Sequence, residues 1–275
     1  MWPIAIPALI FAVFICVYLY WRIILKPHIP DRLRCFLIHD VVARPSSRSA
    51  SEISIRQFRL FIDEAIDSGL EFVAPDVFLS RENRNEIMLT LDDGFDSIYH
   101  NVYPILKEKQ IPVLIFTVDA HSGESPSWDY HDSGRRHLTQ DQIGEMRESG
   151  LVTIGCHSAT HPDLTRVGEK RLRDELGHSD SDSPRYFSYP FGRYNRAIFK
   201  AVESEGYDAA FCSLNGAPKR WSQRYAIPRI PLNIFDNRFT IKTKLTGRRL
   251  YWCEILKARI IGLFAPLTYD WQGRP

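Results

Sequence analysis

Ile87-Met88-Leu89-Thr90-Leu91-Asp92-Asp93-Gly94-Phe95-Asp96 passes from a short apolar run straight into two adjacent carboxylates. A run of that length, bounded by turn residues, is expected as a strand buried on both faces, which is the habit of parallel sheets. Acids at its end then fall at the C-terminal rim, where the active sites of parallel barrels gather. Neighbouring residues on an extended chain point opposite ways, so two carboxylates facing one cavity require a turn, which Gly94 can supply. Asp96 suits the cap of a following helix; Asp92 and Asp93 are not needed for that purpose.

Working outward, the chain keeps alternating strand and helix patterns. Cys35 to His39, Glu71 to Val73, Pro112 to Val118, Leu151 to Cys156, Arg185 to Tyr189 and Tyr207 to Cys212 are expected as strands. Ile55 to Ser68 carries apolar residues at helical spacing (Phe58, Phe61, Ile62, Ala65, Ile66). Further helices are expected over Ser97 to Lys109, from a Thr139 cap to a Gly150 stop, over Glu169 to Leu176, and over Asn195 to Glu205. The predicted fold class is α/β: a distorted (β/α) barrel of about seven parallel strands, preceded by an N-terminal transmembrane helix.

That helix is expected because Trp2 to Trp21 contains no charged residue. Such a run spans about 30 Å as a helix, and aromatic residues stand at both ends. No basic residue precedes the run and no small-x-small cleavage site follows it, which favours an anchor over a removable signal. Arg22, Lys26, Arg32 and Arg34 come after it, so the positive-inside rule directs the remainder to the cytoplasm, with a periplasmic or extracellular placement as the alternative. The stretch from Thr240 onward mixes Lys and Arg with Trp252, Ile255, Leu256, Ile260 and Phe264, and reads either as an interfacial helix or as one packed on the barrel.

In composition the 275 residues are ordinary: 44% hydrophobic, 25% charged, net charge +2. This excludes a strongly basic nucleic-acid binder, and no obligate protein partner is inferable. Five scattered cysteines without a CxxC pair read as thiols rather than a disulfide framework.

Two further segments carry chemistry. His157-Ser158-Ala159-Thr160-His161 follows a strand, and a helical turn there would put both imidazoles on one face. Joined by Asp93 they make a His, His, carboxylate set that leaves coordination positions open, suited to zinc, with cobalt, nickel or manganese as alternatives. Phe187-Ser188-Tyr189-Pro190-Phe191-Gly192 is a strand broken at Pro-Phe-Gly, which alone would be only a turn.

Together, in order and at this spacing, the three segments resemble the polysaccharide deacetylase family, carbohydrate esterase family 4, over roughly Cys35 to Leu232. The resemblance implies a metal-dependent N-deacetylase acting on a bacterial-type polysaccharide or lipid-linked glycan. Asp92 would be the general base, and Asp93, His157 and His161 the metal ligands. The Phe191 backbone N–H would help hold the oxyanion, with Tyr189 beside it near the substrate. Two departures stand out. Ser188 occupies the place where many members have an arginine that orients the base, and Arg229 is the candidate replacement. No histidine follows His178, so the catalytic acid would be His39 in Leu37-Ile38-His39-Asp40-Val41, as in the branch resembling poly-N-acetylglucosamine deacetylases. The expected organisation is an anchor over 1–26, a linker over 27–33, a catalytic domain over 34–239 and a basic extension over 240–275. Alternatives are a catalytically impaired glycan-binding protein of this fold, and a metal-free glycosidase using a carboxylate pair.

Overall fold

The computed structural model describes residues 34–46, 50–80, 85–124, 135–177, 185–213 and 224–246. Residues 1–33, with the candidate anchor and linker, and the extension beyond 246 lie outside them. Among the described residues no helix is long and apolar enough to cross a membrane.

Strand β1 (Cys35–Ile38) is followed by β2 (Asp40–Val42) and β3 (Glu52–Ser54), which pair with each other as a separate two-stranded sheet. Helix α1 (Ile55–Asp67) starts at Ser54, whose hydroxyl accepts the Gln57 N–H while the Gln57 side chain returns to the Ser54 N–H. That reciprocal pair satisfies two orphan donors of the first turn. Then come β4 (Glu71–Phe72), α2 (Pro75–Ser80), β5 (Glu86–Leu91), α3 (Tyr103–Lys109) and β6 (Val113–Thr117). The second half continues with α4 (Gln140–Glu148), β7 (Val152–Cys156), α5 (Glu169–Leu176), β8 (Tyr186–Ser188), α6 (Arg196–Ser204), β9 (Ala209–Ser213), β10 (Ile227–Pro231) and α7 (Arg238–Thr246).

The spatial order β1-β10-β9-β8-β7-β6-β5 returns to β1, all neighbours parallel, so seven strands close into a barrel. β4 pairs with the start of β5 outside that ring. Because every strand runs the same way, every C-terminal end opens on one rim. Alternate residues of six strands, Cys35, Met88, Leu114, Phe116, Tyr186, Phe211 and Ile227 among them, form one buried cluster that fills the interior. The opposite faces of the strands pack against the helices in two larger clusters.

Two elements near the site depart from the sequence expectation. The helix predicted from Ser97 begins as a π-helical turn, Ile98–Val102, and becomes α-helical only at Tyr103. Pro104 lacks the N–H that an unbroken α-helix would need, and the wide turn accommodates its ring. β10 was not expected as a strand, since Pro228 and Pro231 both remove ladder donors; it nonetheless closes the barrel between β9 and β1. The basic C-terminal stretch, which had two readings in the sequence, begins as the second of them, a helix packed on the barrel: Ile241 and Leu245 of α7 are buried, and buried Lys244 binds Asp236 at 2.6 Å.

Candidate active site

Register delivers the acids. Ile38 lies opposite Leu91 across the β1–β5 seam, and the Asp92 N–H donates to the Ile38 carbonyl at 3.0 Å. His39, the residue after β1, therefore stands beside Asp92. Past this point the chain turns on two consecutive left-handed residues, Asp93 (φ 69°) and Gly94 (φ 63°). The turn thus begins one residue earlier than Gly94 alone would have it. A Cβ at Gly94 would come 3.1 Å from the Thr117 Cγ2, a tight contact that adds to the positive φ in favouring glycine here.

Asp92 is buried and gripped by Arg229 in β10. Nη1 donates to Oδ1 at 2.6 Å and Nη2 to Oδ2 at 2.7 Å, a bidentate pair. The Ser188 hydroxyl donates to Asp92 Oδ2 at 3.1 Å while accepting from Arg229 Nη2 at 2.8 Å. Arg229 reaches this position by crossing the barrel interior. Its Nε donates to the Cys212 carbonyl, and its guanidinium lies 5.4 Å from the Phe116 ring centre. The gap left by serine at 188 is therefore spanned from another strand, and Ser188 itself joins the grip. Burial alone would push the Asp92 carboxyl up, but the Arg229 charge, helped by His157, holds it below the ordinary carboxylate range.

Asp93, His157 and His161 converge. Asp93 Oδ1 lies 3.5 Å from Nε2 of each histidine, and one ligand atom from each of the three residues fits within 4.8 Å of the others. The His157 Nδ1 sits 2.8 Å from the Ser188 carbonyl, which can only accept. The proton is therefore on Nδ1, and the Nε2 lone pair faces the cluster. Burial, then the Asp92 charge, pushes the Asp93 carboxyl up to about 8, while burial lowers both histidines.

The segment joining those histidines is not a helical turn, contrary to expectation. Ser158 (φ 66°) and His161 (φ 57°) are both left-handed, and these two reversals bring the imidazoles together, with ring centres 4.8 Å apart. Phe191 is left-handed too (φ 57°), and its partly exposed ring lies edge-on to His161 at 4.7 Å. Four of the five described non-glycine residues with positive φ (Asp93, Ser158, His161 and Phe191) thus cluster at this rim, the pattern expected where surrounding structure holds strain for function. Tyr189 departs from its expected place near the substrate. Its ring is completely buried and its hydroxyl donates to the Tyr225 carbonyl at 2.8 Å, which makes it a core residue. His39 is lowered to about 4, first by burial against partial support from Asp92, so its imidazole rests neutral rather than protonated as the assigned acid role supposes.

Several supports escaped the sequence. Glu175 in α5 accepts the Thr160 N–H and hydroxyl, fixing the turn between the histidines. Asp163 accepts from Arg193 at 2.5 Å, tying the chain after His161 to the turn that carries Phe191. The His137 Nδ1 meets the Asp93 carbonyl at 2.7 Å. Each pair is remote in sequence and carries no motif, so only the fold reveals it.

Comparison with known proteins agrees with this geometry. The family model for polysaccharide deacetylase matches residues 80–210. A Bacillus subtilis protein called putative polysaccharide deacetylase YxkH is 25% identical over 219 residues, 75% of this chain and 73% of its own. The Staphylococcus epidermidis poly-beta-1,6-N-acetyl-D-glucosamine N-deacetylase is 25% identical over 162 residues; the match spans 54% of each, about half the length of that relative. The Streptococcus pyogenes deacetylase PplD, solved in complex with acetate, shares the fold at TM-score 0.63 and 16% identity, covering 78% of this chain and 97% of that one.

Proposed function

We propose that this chain, which belongs to the polysaccharide deacetylase family, is a divalent-metal-dependent N-deacetylase of glycans built from N-acetylated amino sugars. The observation that carries the reading is the pairing of a gripped carboxylate, Asp92, with an adjacent three-ligand cluster at one barrel rim. The donor set fits a divalent ion. Two imidazole nitrogens and a carboxylate oxygen converge, one imidazole has its tautomer set by a carbonyl, and the carboxyl is one that a cation would keep ionised.

Asp93, His157 and His161 would hold the ion, zinc being the choice that donor chemistry favours over cobalt, nickel or manganese. When bound, such an ion supplies Lewis acidity, acidifying water and polarising an amide carbonyl. Asp92, kept ionised by Arg229, takes the proton of the attacking water. The Phe191 N–H, on its left-handed turn, donates to the developing oxyanion. His39, beside Asp92 across the strand seam, receives the proton that Asp92 took from the water and passes it to the departing amine, which returns both side chains to their starting state. The products are acetate and a free amino sugar.

Acetate release from N-acetylglucosamine oligomers tests this. Turnover should stop on chelation and return with zinc. The Asp92→Asn variant should lose about two to four orders of magnitude while still binding metal; chelator-resistant turnover, or an Asn variant at full rate, would sink the reading. Anchoring through Trp2 to Trp21, with this domain on the cytoplasmic side, belongs to the same proposal, and reporter fusions at the C-terminus test it.

A further inference from the structure

A short strap, residues 135–138, clasps the turn that carries the acids. The Asp96 N–H donates to the Arg136 carbonyl, and the Leu138 N–H to the Gly94 carbonyl, both at 2.8 Å. Between them the His137 imidazole meets the Asp93 carbonyl oxygen at 2.7 Å. A carbonyl can only accept, so Nδ1 carries the proton and donates. The ring also stacks on Phe95 at 5.4 Å, and Phe95 and His137 form an isolated antiparallel bridge. The strap is itself tethered: Arg135 binds Asp40 of β2 at 3.2 Å and Glu52 of β3, which face each other in the small sheet, and lies over the Phe95 ring.

The strap therefore supplies three hydrogen bonds to a tight turn whose first residue, Asp93, sits in a backbone region that non-glycine residues avoid. The peptide that His137 holds is the one leaving Asp93, so its orientation governs where that carboxylate points. We propose that His137 is a positioning residue for the metal site, its Nδ1–H locking the Asp93 turn so that the carboxylate faces His157 and His161. This rests on the reading of those three residues as metal ligands.

Two substitutions separate the hydrogen bond from the ring. His137→Asn keeps a donor near the Nδ1 position and loses the stack; His137→Phe keeps the stack and loses the donor. The probe is cobalt(II), titrated into the chelator-treated full-length protein and followed by its visible absorption, with circular dichroism as the check on folding. The expected result is cobalt affinity about 10–100-fold weaker for the Phe variant, the usual loss when an outer-shell partner is removed, and within a few-fold of the parent for the Asn variant. The reverse order, or equal affinity in a folded Phe variant, overturns the inference. If the Phe chain does not fold, the Asn variant alone decides, and a tenfold loss there overturns it. A parent protein that binds no cobalt overturns the metal reading itself, and the role of His137 with it.

Discussion

Arg229 is a permanent cation inside the barrel, and Asp92 is the carboxylate that it pairs with. Burying such a pair is not in itself a gain, but removing one partner leaves an uncompensated charge. Arg229→Met should therefore lower unfolding free energy by about 3–5 kcal/mol in urea titrations and abolish turnover. Arg229→Lys keeps the charge without the two-pronged fit and should recover stability better than activity. The pH dependence follows from the depressed Asp92 carboxyl. A group held below its unfolded value of about 3.9 stabilises fully above that value and loses its contribution as pH falls beneath it. Parent protein should lose stability steeply below about pH 4, and Arg229→Met less so. Asp93 has the opposite sign. Raised to about 8 without a cation, it binds a proton in the folded state where the unfolded chain does not, so chelated protein should become less stable as pH rises from about 4 to 8. Metal binding within that window should release protons, measurable as a buffer-dependent heat in calorimetry.

At the scale of elements, the site is made by turns more than by strands. The turn over Pro190-Phe191-Gly192 joins β8 to the chain before α6, with Gly192 at φ 64°. A Cβ there would lie 2.2 Å from the Ser213 Oγ and 2.9 Å from the Ser213 nitrogen, so the backbone must move. Gly192→Ala should shift the Phe191 N–H and reduce kcat more than tenfold, with a stability loss of about 1–3 kcal/mol. Gly206 is the control: it has φ 85° but nothing within 4 Å of an added Cβ. Gly206→Ala should cost only about 1–2 kcal/mol and leave kcat unchanged, which equilibrium unfolding and an acetate assay would show together.

At the largest scale the seven described strands form a closed ring, and closure brings remote residues together. β1 lies between β5 and β10, so His39, Asp92 and Arg229, far apart in the chain, meet at one seam. A ligand that binds only this assembled rim must stabilise the fold. At a free zinc concentration about 100 times its dissociation constant the gain is about 2.7 kcal/mol, a rise in melting temperature of about 5–10 °C for a domain of this size. A scan of chelated against zinc-supplemented protein measures it, and Asp93→Asn should remove most of the difference.

Apolar runs ending in polar residues, the helix cap at Thr139, and the order of Asp-Asp-Gly, His-x-x-x-His and Pro-Phe-Gly were legible because they rest on local periodicity and on spacing along the chain. These were enough for the parallel barrel and for most of the catalytic candidates. What the chain order did not carry was the contact between strands. β10 was hidden by its prolines, whose cost in ladder hydrogen bonds is offset only once the ring closes. The grip of Arg229 on Asp92, the clasp of His137 on Asp93 and the burial of Tyr189 depend on register and side-chain direction, which are settled when seven strands pack together. The Asp92, Asp93, Gly94 stretch by itself announced a site on a strand end. That Asp93 turns one way and Asp92 the other, one toward the histidines and one toward Arg229, was decided by two left-handed residues that the surrounding barrel holds in place.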